Sequence, residues 1–239
     1  MKFYYDLHIH TALSPCAEDE MTPNNIVNMS MLKELDIIAI TDHNSVKNAR
    51  ACAEAAEGKN LIVIPGMEVE TSEEIHCVVL FDDFDKAEAF GEYIGQNLPA
   101  IKNREDIFGN QLIIDKDDEI KGSVKNLLSV ASVIGISELF KKASEYGAAA
   151  FPSHVDRASN SVISNLGMMP PDLGCEYLEL IADDPFKYLR DNKRLFSRDY
   201  KYLKNSDAHN LGNISERAAY FEFENKPAIV DIIKKIRNG

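Results

Sequence analysis

The residues of this chain that are best suited to chemistry are its six histidines, since each stands in a short apolar or aspartate-containing context. Neutral imidazole is the commonest metal ligand, and a hard divalent cation also needs carboxylates, which Glu68 and Asp207 can supply. The pattern predicts one metal centre assembled from several strand ends, and therefore a metal-dependent hydrolase. The histidines occur in Asp6-Leu7-His8-Ile9-His10, Thr41-Asp42-His43, Ile75-His76-Cys77, Pro152-Ser153-His154 and Ser206-Asp207-Ala208-His209.

Two pairs of these residues share one spacing. His8 and His10 are two residues apart on a predicted strand, so both side chains project to the same face and can reach one cation. Asp207 and His209 repeat the spacing near the other end of the chain. A lone H-x-H pair is compatible with a coincidental surface pair. Two such pairs with further ligand types nearby favour a metal site.

Short β-rich runs alternate with helical stretches, which is typical of an α/β fold. Thr22 predicts a cap for a helix from Pro23 to about Leu35, and Ser45 predicts a cap for a second helix closed by Gly58. Further helices are predicted at 137–146, at 185–196 and from residue 227. Strands are predicted at 3–9, 36–41, 61–64, 76–81, 148–151, 177–181, 202–206 and 218–223.

Most of the candidate ligands fall at or just after the C-terminal end of a predicted strand. In β/α barrels that face carries the active site, because the loops there converge on one mouth. The residues with this placement are His8, His10, His43, Glu68, His154, Asp207 and His209.

The middle of the chain, from about residue 82 to 144, has a different character. It is rich in acidic residues, and Gly109-Asn110 and the run from Asp115 to Glu119 indicate turns. Residues 111–114 and 119–120, which contain Leu112, Ile113, Ile114 and Ile120, flank the acidic turn and predict a small hairpin. We interpret the segment as an insertion or lid within a single domain that covers residues 1–239.

Composition and charge restrict the function classes. The formal net charge of −13, without a basic, aromatic-bearing groove, argues against long nucleic acid as a partner but leaves a small phosphorylated substrate open. No apolar run reaches the length of a membrane span, and no signal peptide is predicted at the N-terminus. Four scattered cysteines without a C-x-x-C pair predict a reduced, cytoplasmic protein. The oligomeric state is left open.

The ordered motifs resemble those of the PHP (polymerase and histidinol phosphatase) superfamily. The resemblance implies a distorted (β/α)7 barrel, a cluster of two or three divalent cations (zinc, manganese or iron, with magnesium as a further option), and phosphoesterase activity through an activated water. It runs from residue 6 to about 209, outside the middle segment. The motifs are Asp6-Leu7-His8-Ile9-His10-Thr11, Thr41-Asp42-His43-Asn44, Gly66-Met67-Glu68, Ser153-His154-Val155-Asp156-Arg157 and Ser206-Asp207-Ala208-His209.

Carried over position by position, the resemblance implies three sets of ligands. The first set is His8, His10, Glu68 and Asp207, and the second is Glu68, His76 and His154. The third set is His43 and His209 with an acidic residue from the loop after His10.

That loop departs from the commonest family pattern, because Ser14 to Glu20 intervene before Thr22-Pro23. We favour Asp19 as the third-set ligand, with Glu18, Glu20 and Cys16 as alternatives. Within strand three, we choose Glu68 over its neighbour Glu70.

Three residues are expected to take part in catalysis. Arg157 is the candidate clamp for the substrate phosphate, because a guanidinium offers paired donors to phosphate oxygens. Either Asp42 or a neutral histidine, for which His209 is the candidate, is expected to pass a proton to the leaving oxygen. Asp42 can also act by orienting a neighbouring histidine.

The expected activity is hydrolysis of a small phosphate monoester or nucleotide. The alternatives are histidinol phosphatase, a nuclease that processes oligonucleotide or nucleotide ends, and a non-catalytic metal-binding module.

Overall fold

The computed structural model describes residues 1–239 and consists of strands, eight α-helices and two short 3-10 turns. The strands are β1 (Lys2–Ile9), β2 (Ile37–Ile40), β3 (Ile62–Glu70), β4 (His76–Leu80), β5 (Leu112–Ile114), β6 (Ile120–Ser123), β7 (Ala149–Pro152), β8 (Tyr177–Glu179), β9 (Lys201–Leu203) and β10 (Tyr220–Glu222). The helices are α1 (Pro23–Leu32), α2 (Ala49–Ala55), α3 (Phe84–Gln96), α4 (Glu105–Phe108), α5 (Ile136–Glu145), α6 (Val162–Leu166), α7 (Pro185–Asp191) and α8 (Ile229–Asn238). No helix combines the length and the apolar character that crossing a membrane requires.

Six strands form the main sheet in the order β10-β1-β2-β3-β4-β7. Strands β1, β2 and β3 are parallel, whereas β4 runs antiparallel to both β3 and β7. Strand β10 pairs antiparallel with β1 at the edge. The C-terminal ends of β1, β2, β3 and β7 and the beginning of β4 therefore lie along the same rim.

The parallel pair β8 and β9 lies between the two ends of this sheet. On one side, the backbone N–H of Val155, just after β7, donates to the carbonyl of Glu179 at 3.0 Å. On the other side, Ile9 of β1 forms a parallel bridge with Ala208. The α/β class is thus confirmed as a mixed α/β fold with a curled sheet. The distorted (β/α)7 barrel stays a prediction.

The continuous apolar run of β2 is explained by its position in the sheet, because the strand is covered on both faces. Ile37 and Ala39 belong to one hydrophobic cluster, and Ile38 and Ile40 belong to the other. All four side chains are fully buried. Burial on both faces is what a central parallel strand requires.

The first helix begins as the sequence predicts, but the second does not. Thr22 accepts a hydrogen bond from the backbone N–H of Asn25 and caps α1, which ends at Leu32. Helix α2 begins only at Ala49, so the prediction of a Ser45 cap is wrong. Residues 44–48 remain non-helical because the side chains of Asn44 and Asn48 bind the middle segment instead.

The middle segment contains a core helix and a surface hairpin. Helix α3 buries Ala87, Phe90 and Ile94 in the larger hydrophobic cluster. The predicted hairpin is present as β5 and β6, with Asp118 at φ 63° in the acidic turn between them. The interpretation of this segment as a lid within one domain stays a prediction.

Candidate metal centre

All six histidines lie in one cluster at the rim of the sheet. Their ring centroids follow one another at 4.1 to 5.3 Å, so every imidazole of the chain has another as a near neighbour. His8, His10 and His154 are completely buried, and His43 is nearly so. Buried histidines are costly unless paired, so the clustering itself indicates a common ligand or charge.

The strands explain why these residues meet. His8 and His10 lie at the end of β1, and His43 forms a parallel bridge with Glu68 on the neighbouring strand. His76 begins β4, opposite Glu70 of β3. Because β4 is antiparallel to β3, its first residue, His76, lies at the rim where the neighbouring strands have their C-terminal residues.

The carboxylate of Glu68 is the centre of the cluster. Its Oε1 atom lies 3.3 Å from Nε2 of His8, 3.1 Å from Nδ1 of His76 and 3.2 Å from Nε2 of His154. Its Oε2 atom lies 3.4 Å from Nε2 of His10 and 3.2 Å from Nδ1 of His43. One buried carboxylate therefore contacts five histidines. Glu70 lies farther out, with its Oε2 3.9 Å from Nε2 of His76.

Three groups of ligand atoms lie close enough to hold a cation, with all atoms of a group within 4.8 Å of one another. The group of His8, His10, Glu68 and Asp207 coincides with the first set implied by the resemblance. The other two groups combine the residues differently from the second and third sets implied by the resemblance. They are His10 with His43 and His209, and His43 with Glu68 and His76.

Several histidines are held by a second contact on the ring nitrogen that faces away from the cluster. Nδ1 of His8 lies 3.0 Å from Oε2 of Glu179. Nδ1 of His10 lies 2.9 Å from Oγ of Ser14, whose hydroxyl donates to Asp42. These contacts turn both Nε2 atoms inward, where they lie 3.1 Å from each other.

The inward-facing atoms fit divalent cations. Both oxygens of Glu68, Nδ1 of His43 and both ring nitrogens of His154 are buried without a hydrogen-bond partner. A buried polar atom without a partner costs about 1–3 kcal/mol, so five such atoms at one place require compensation. Mixed imidazole and carboxylate ligands suit zinc, manganese and iron alike.

The electrostatics of the cluster demand positive charge. Burial alone raises the pKa of Glu68, but His76 and His8 reverse the effect and hold that pKa well below its usual value. Burial lowers the pKa of His10, yet Asp207 and Glu68 outweigh it and raise the value to about 9. The pKa of His209 falls to about 4, because of burial and the charge of His10. The carboxylates thus attract protons or cations to the inner imidazoles.

Two of the candidate ligands adopt an unusual backbone conformation. His154 has φ 27° and Asp207 has φ 51°, in a region that residues other than glycine rarely occupy. Such conformations cost about 1–3 kcal/mol each and concentrate at functional sites.

Asp42 is fully occupied by neighbours. Its Oδ1 accepts hydrogen bonds from the backbone of Thr11 and from Ser14, both at 2.7 Å, and its Oδ2 accepts one from Oγ1 of Thr11 at 2.8 Å. Through Ser14 it holds His10. These contacts favour a positioning role for Asp42 over the transfer of a proton.

The loop after His10 does not bring Asp19 into the cluster. Asp19 is exposed, and its carboxylate accepts a hydrogen bond from Asn110 at 2.8 Å. Glu18 and Glu20 are exposed as well. Cys16 is an exposed residue, but partial burial of its thiol and the charge of Glu68 raise the thiol pKa to about 12.

Arg157 and His209 lie at the outer edge of the cluster. Nη2 of Arg157 lies 2.8 Å from Oδ2 of Asp207, and the arginine side chain is 40% exposed. Nδ1 of His209 donates to the carbonyl oxygen of Asp207 at 2.8 Å, which leaves Nε2 free. Both side chains are thus accessible from the mouth of the site.

Glu179 was missed by the sequence analysis. It is fully buried at the end of β8, and besides His8 it accepts hydrogen bonds from the backbone of His154 at 3.0 Å and from Asn205 at 2.7 Å. The available signal was a lone carboxylate in the apolar run Tyr177 to Ile181.

Residues 6–97 match the family model described as PHP domain. A comparison with curated proteins finds no significant match. Among solved structures, the lesion-specific endonuclease Q from Pyrococcus furiosus is similar with a TM-score of 0.69 and 20% identity, over 100% of this chain and 56% of that chain. Endonuclease Q in complex with a 27-mer duplex that carries an abasic lesion is similar with a TM-score of 0.57 and 18% identity, over 88% and 50%.

A third similar structure is a protein from Bifidobacterium adolescentis described as a metal-dependent phosphoesterase. It has a TM-score of 0.56 and 16% identity, over 97% of this chain and 94% of that chain. The chain therefore spans about half the length of the endonuclease Q chains and nearly all of this third protein. The match of residues 6–97 to the PHP domain model thus confirms the resemblance that the ordered motifs indicate.

Proposed function

We propose that this protein is a metal-dependent phosphoesterase that hydrolyses a small phosphate monoester or nucleotide. The match of residues 6–97 to the PHP domain model supports a metal-dependent hydrolase, and the bond that it cleaves is our proposal. The observation that carries the proposal is the contact of one buried carboxylate, Glu68, with five histidines. A shared carboxylate among many imidazoles is typical of a cluster of cations, whereas a structural metal has a closed cage of four ligands.

We assign the ligands to three sets, of which the first two share Glu68. The first set is His8, His10, Glu68 and Asp207, the second is Glu68, His76 and His154, and the third is His43 and His209. Asp19 is proposed to complete the third set, for which its carboxylate has to leave Asn110. Divalent cations at such a site lower the pKa of water towards neutrality and neutralise the charge of a phosphate ester.

The other side chains bind and orient. Arg157 can donate two hydrogen bonds to a phosphate while its partner Asp207 keeps it directed at the mouth. Asp42 and Ser14 hold His10, and Glu179 holds His8, so that both Nε2 atoms stay directed inward. His209 has one free nitrogen, which serves as a ligand or, in the alternative role, donates a proton to the leaving oxygen.

A second candidate function is cleavage of a nucleic acid. The likeness to endonuclease Q over the whole chain favours it. It also weakens the expectation from the net charge that long nucleic acid is excluded. Histidinol phosphatase activity stays an alternative, because no contact at this site distinguishes histidinol phosphate from other small phosphate esters.

A panel of phosphate esters tests the proposal. The protein, loaded separately with Mn²⁺, Zn²⁺ and Fe²⁺, is offered phosphomonoesters including histidinol phosphate, mononucleotides, a dinucleotide and a DNA duplex with an abasic lesion. Turnover of a small ester that is lost in Glu68→Gln and kept in Glu70→Gln supports phosphoesterase activity. Turnover of the duplex alone supports the second candidate. Full metal loading without turnover of any ester contradicts both.

A further inference from the structure

The charge of this acidic chain is distributed unevenly. Residues 186–204 contain seven lysines and arginines against two aspartates, whereas the rest of the chain has 19 basic against 37 acidic residues. Such an asymmetry indicates a separate interaction surface, because the local field of a cluster is felt by a partner within about 10 Å. We call residues 186–204 the basic stretch. It includes most of α7, the 3-10 turn Lys193–Leu195 and strand β9.

The cations at the centre of the basic stretch are exposed and available. Lys187, Lys193 and Arg194 are exposed and take part in no ion pair. Arg190 pairs only with its exposed neighbour Asp191. Lys187 and Arg190 are three residues apart on α7, which places them on one side of the helix, and Lys193 and Arg194 lie in the 3-10 turn that follows.

The basic stretch begins beside the metal centre. Strand β8 ends at Glu179, which contacts His8, and the backbone N–H groups of Ile181 and Ala182 donate to Asp156. Asp156 adjoins Arg157. Helix α7 then begins at Pro185.

The other end of the stretch lies at the opposite edge of the strands. Arg198 pairs with Glu176, one residue before β8 begins, at 2.7 Å. Lys204 donates to the carbonyl of Ala182, beyond the other end of β8, so the cations are spread over at least the length of this strand, about 10 Å, or roughly three phosphates along one strand of DNA.

Aromatic rings accompany the cations. Phe186 is 72% exposed, and its ring lies edge-on to Tyr202 with centroids 5.1 Å apart. A cleft of about 260 Å³ farther along is lined by Arg190, Lys193 and Arg198 together with Phe196 and Tyr200, and by one acid, Asp199. Exposed rings beside cations suit bases next to a phosphate backbone, since every base has a face that can stack.

We propose that the basic stretch binds the phosphate backbone of a nucleic acid, one phosphodiester of which lies at the metal centre. The inference rests on the second candidate function, cleavage of a nucleic acid, and assigns to it the surface that holds the substrate. A nucleic acid fits better than a small ester, because the cations extend well beyond the reach of one phosphate. It fits better than a membrane, because aromatic residues alternate with cations along the chain, whereas a membrane-binding helix segregates them to opposite faces.

The test measures binding separately from hydrolysis. Metal-free protein is titrated with a short labelled DNA duplex and with a single strand of the same length at several salt concentrations. The variant Lys187→Gln/Lys193→Gln/Arg194→Gln removes the three unpaired cations. The control Lys116→Gln/Lys141→Gln/Lys234→Gln removes three exposed cations from other elements, with the same change in net charge.

The expected result is specific to the basic stretch. Each lost phosphate contact lowers the slope of log K against log salt by about 0.9 for a duplex, so the first variant loses about 2.7 of the slope and at least roughly tenfold in affinity at low salt. The control keeps most of both. Both variants, loaded with metal, hydrolyse p-nitrophenyl phosphate at the wild-type rate, because the three cations do not contact the metal centre.

Two outcomes overturn the inference. One is an unchanged slope in the first variant for both duplex and single strand. The other is loss of binding to phosphatidylserine vesicles without loss of DNA binding, which assigns the surface to a membrane. If no form hydrolyses any ester while DNA binding depends on the stretch, then the proposed function fails and the surface stands.

Discussion

Nδ1 of His8 lies 3.0 Å from Oε2 of Glu179, and both side chains are completely buried. A carboxylate behind a ligating histidine fixes the ring and makes its other nitrogen a better ligand. The contact joins β1 to β8, which are 171 residues apart in the chain. Glu179 thereby connects the first histidine motif to the strand from which the basic stretch departs.

Replacing Glu179 with Gln is expected to weaken metal binding without removing a ligand. The amide keeps the shape but loses the negative charge behind His8, and loss of such a contact typically costs about 10- to 100-fold in metal affinity. Competition with a chelating dye measures the affinity. Glu176→Gln, at a half-buried position three residues earlier that contacts Arg198 and no histidine, serves as the control and is expected to bind like the wild type. Equal affinity of Glu179→Gln and wild type would show that the contact only packs the strands.

Glu68→Ala is expected to deplete metal and abolish hydrolysis. The unaltered protein is expected to hold two to three ions per chain, and loss of a carboxylate shared by two sets removes a ligand from two cations at once. Elemental analysis of supplemented protein measures the content. Glu70→Ala, on the same strand, is expected to retain its ions. Less than one ion in the unaltered protein would refute the centre altogether.

The loop ligand is tested by a pair of variants. We expect Asp19→Asn to lower metal content by about one ion and Cys16→Ala to leave it unchanged. The thiolate is the form of cysteine that binds metal, and the pKa of Cys16, raised to about 12 by burial and the charge of Glu68, keeps the thiol protonated at neutral pH. Elemental analysis again decides, and the opposite pattern assigns the third set to Cys16.

Arg157→Ala is expected to keep fold and metals but to lose about 10²-fold in kcat/KM towards phosphate esters. The loss of one charge-assisted pair of donors costs a few kcal/mol, which corresponds to this factor. Steady-state kinetics on the best substrate measures it. The control is Arg104→Ala, since Arg104 is exposed and pairs only with Asp106. Wild-type kinetics in Arg157→Ala would leave the phosphate to the metals alone.

Asn48→Ala is expected to lower the free energy of unfolding by about 1–3 kcal/mol, because it leaves buried backbone groups without partners. Its amide donates to Thr11 and to the carbonyl of Leu112, and its oxygen accepts from the backbone of Ile114. Denaturant unfolding of the metal-free protein measures the change. Asn24→Ala, at a partly exposed position, is expected to change stability by less. An unaltered midpoint for Asn48→Ala would mean that the middle segment detaches freely.

The sequence by itself determined which residue types could form the centre and in what order. Histidine and carboxylate motifs at strand ends carry their own signal, because strand alternation and parallel order bring them to one rim. The spacing of His8 and His10 was enough to predict that their side chains share a face. The acidic turn was enough to predict the hairpin of β5 and β6. The cap at Thr22 was equally local.

Other features were decided by tertiary structure. Glu179 contacts His8 across 171 residues of the chain, and Ser14 contacts His10 through the irregular loop after β1. No local sequence pattern predicts either contact. The role of Asn48 could not be predicted from the sequence for the same reason, since its partners Leu112 and Ile114 lie in the middle segment. His76 reaches the rim only because β4 is antiparallel. The net charge of the whole chain concealed the basic stretch, although residues 186–204 are contiguous and a local count of charges reveals them, and only the structure shows which of their cations are exposed and unpaired.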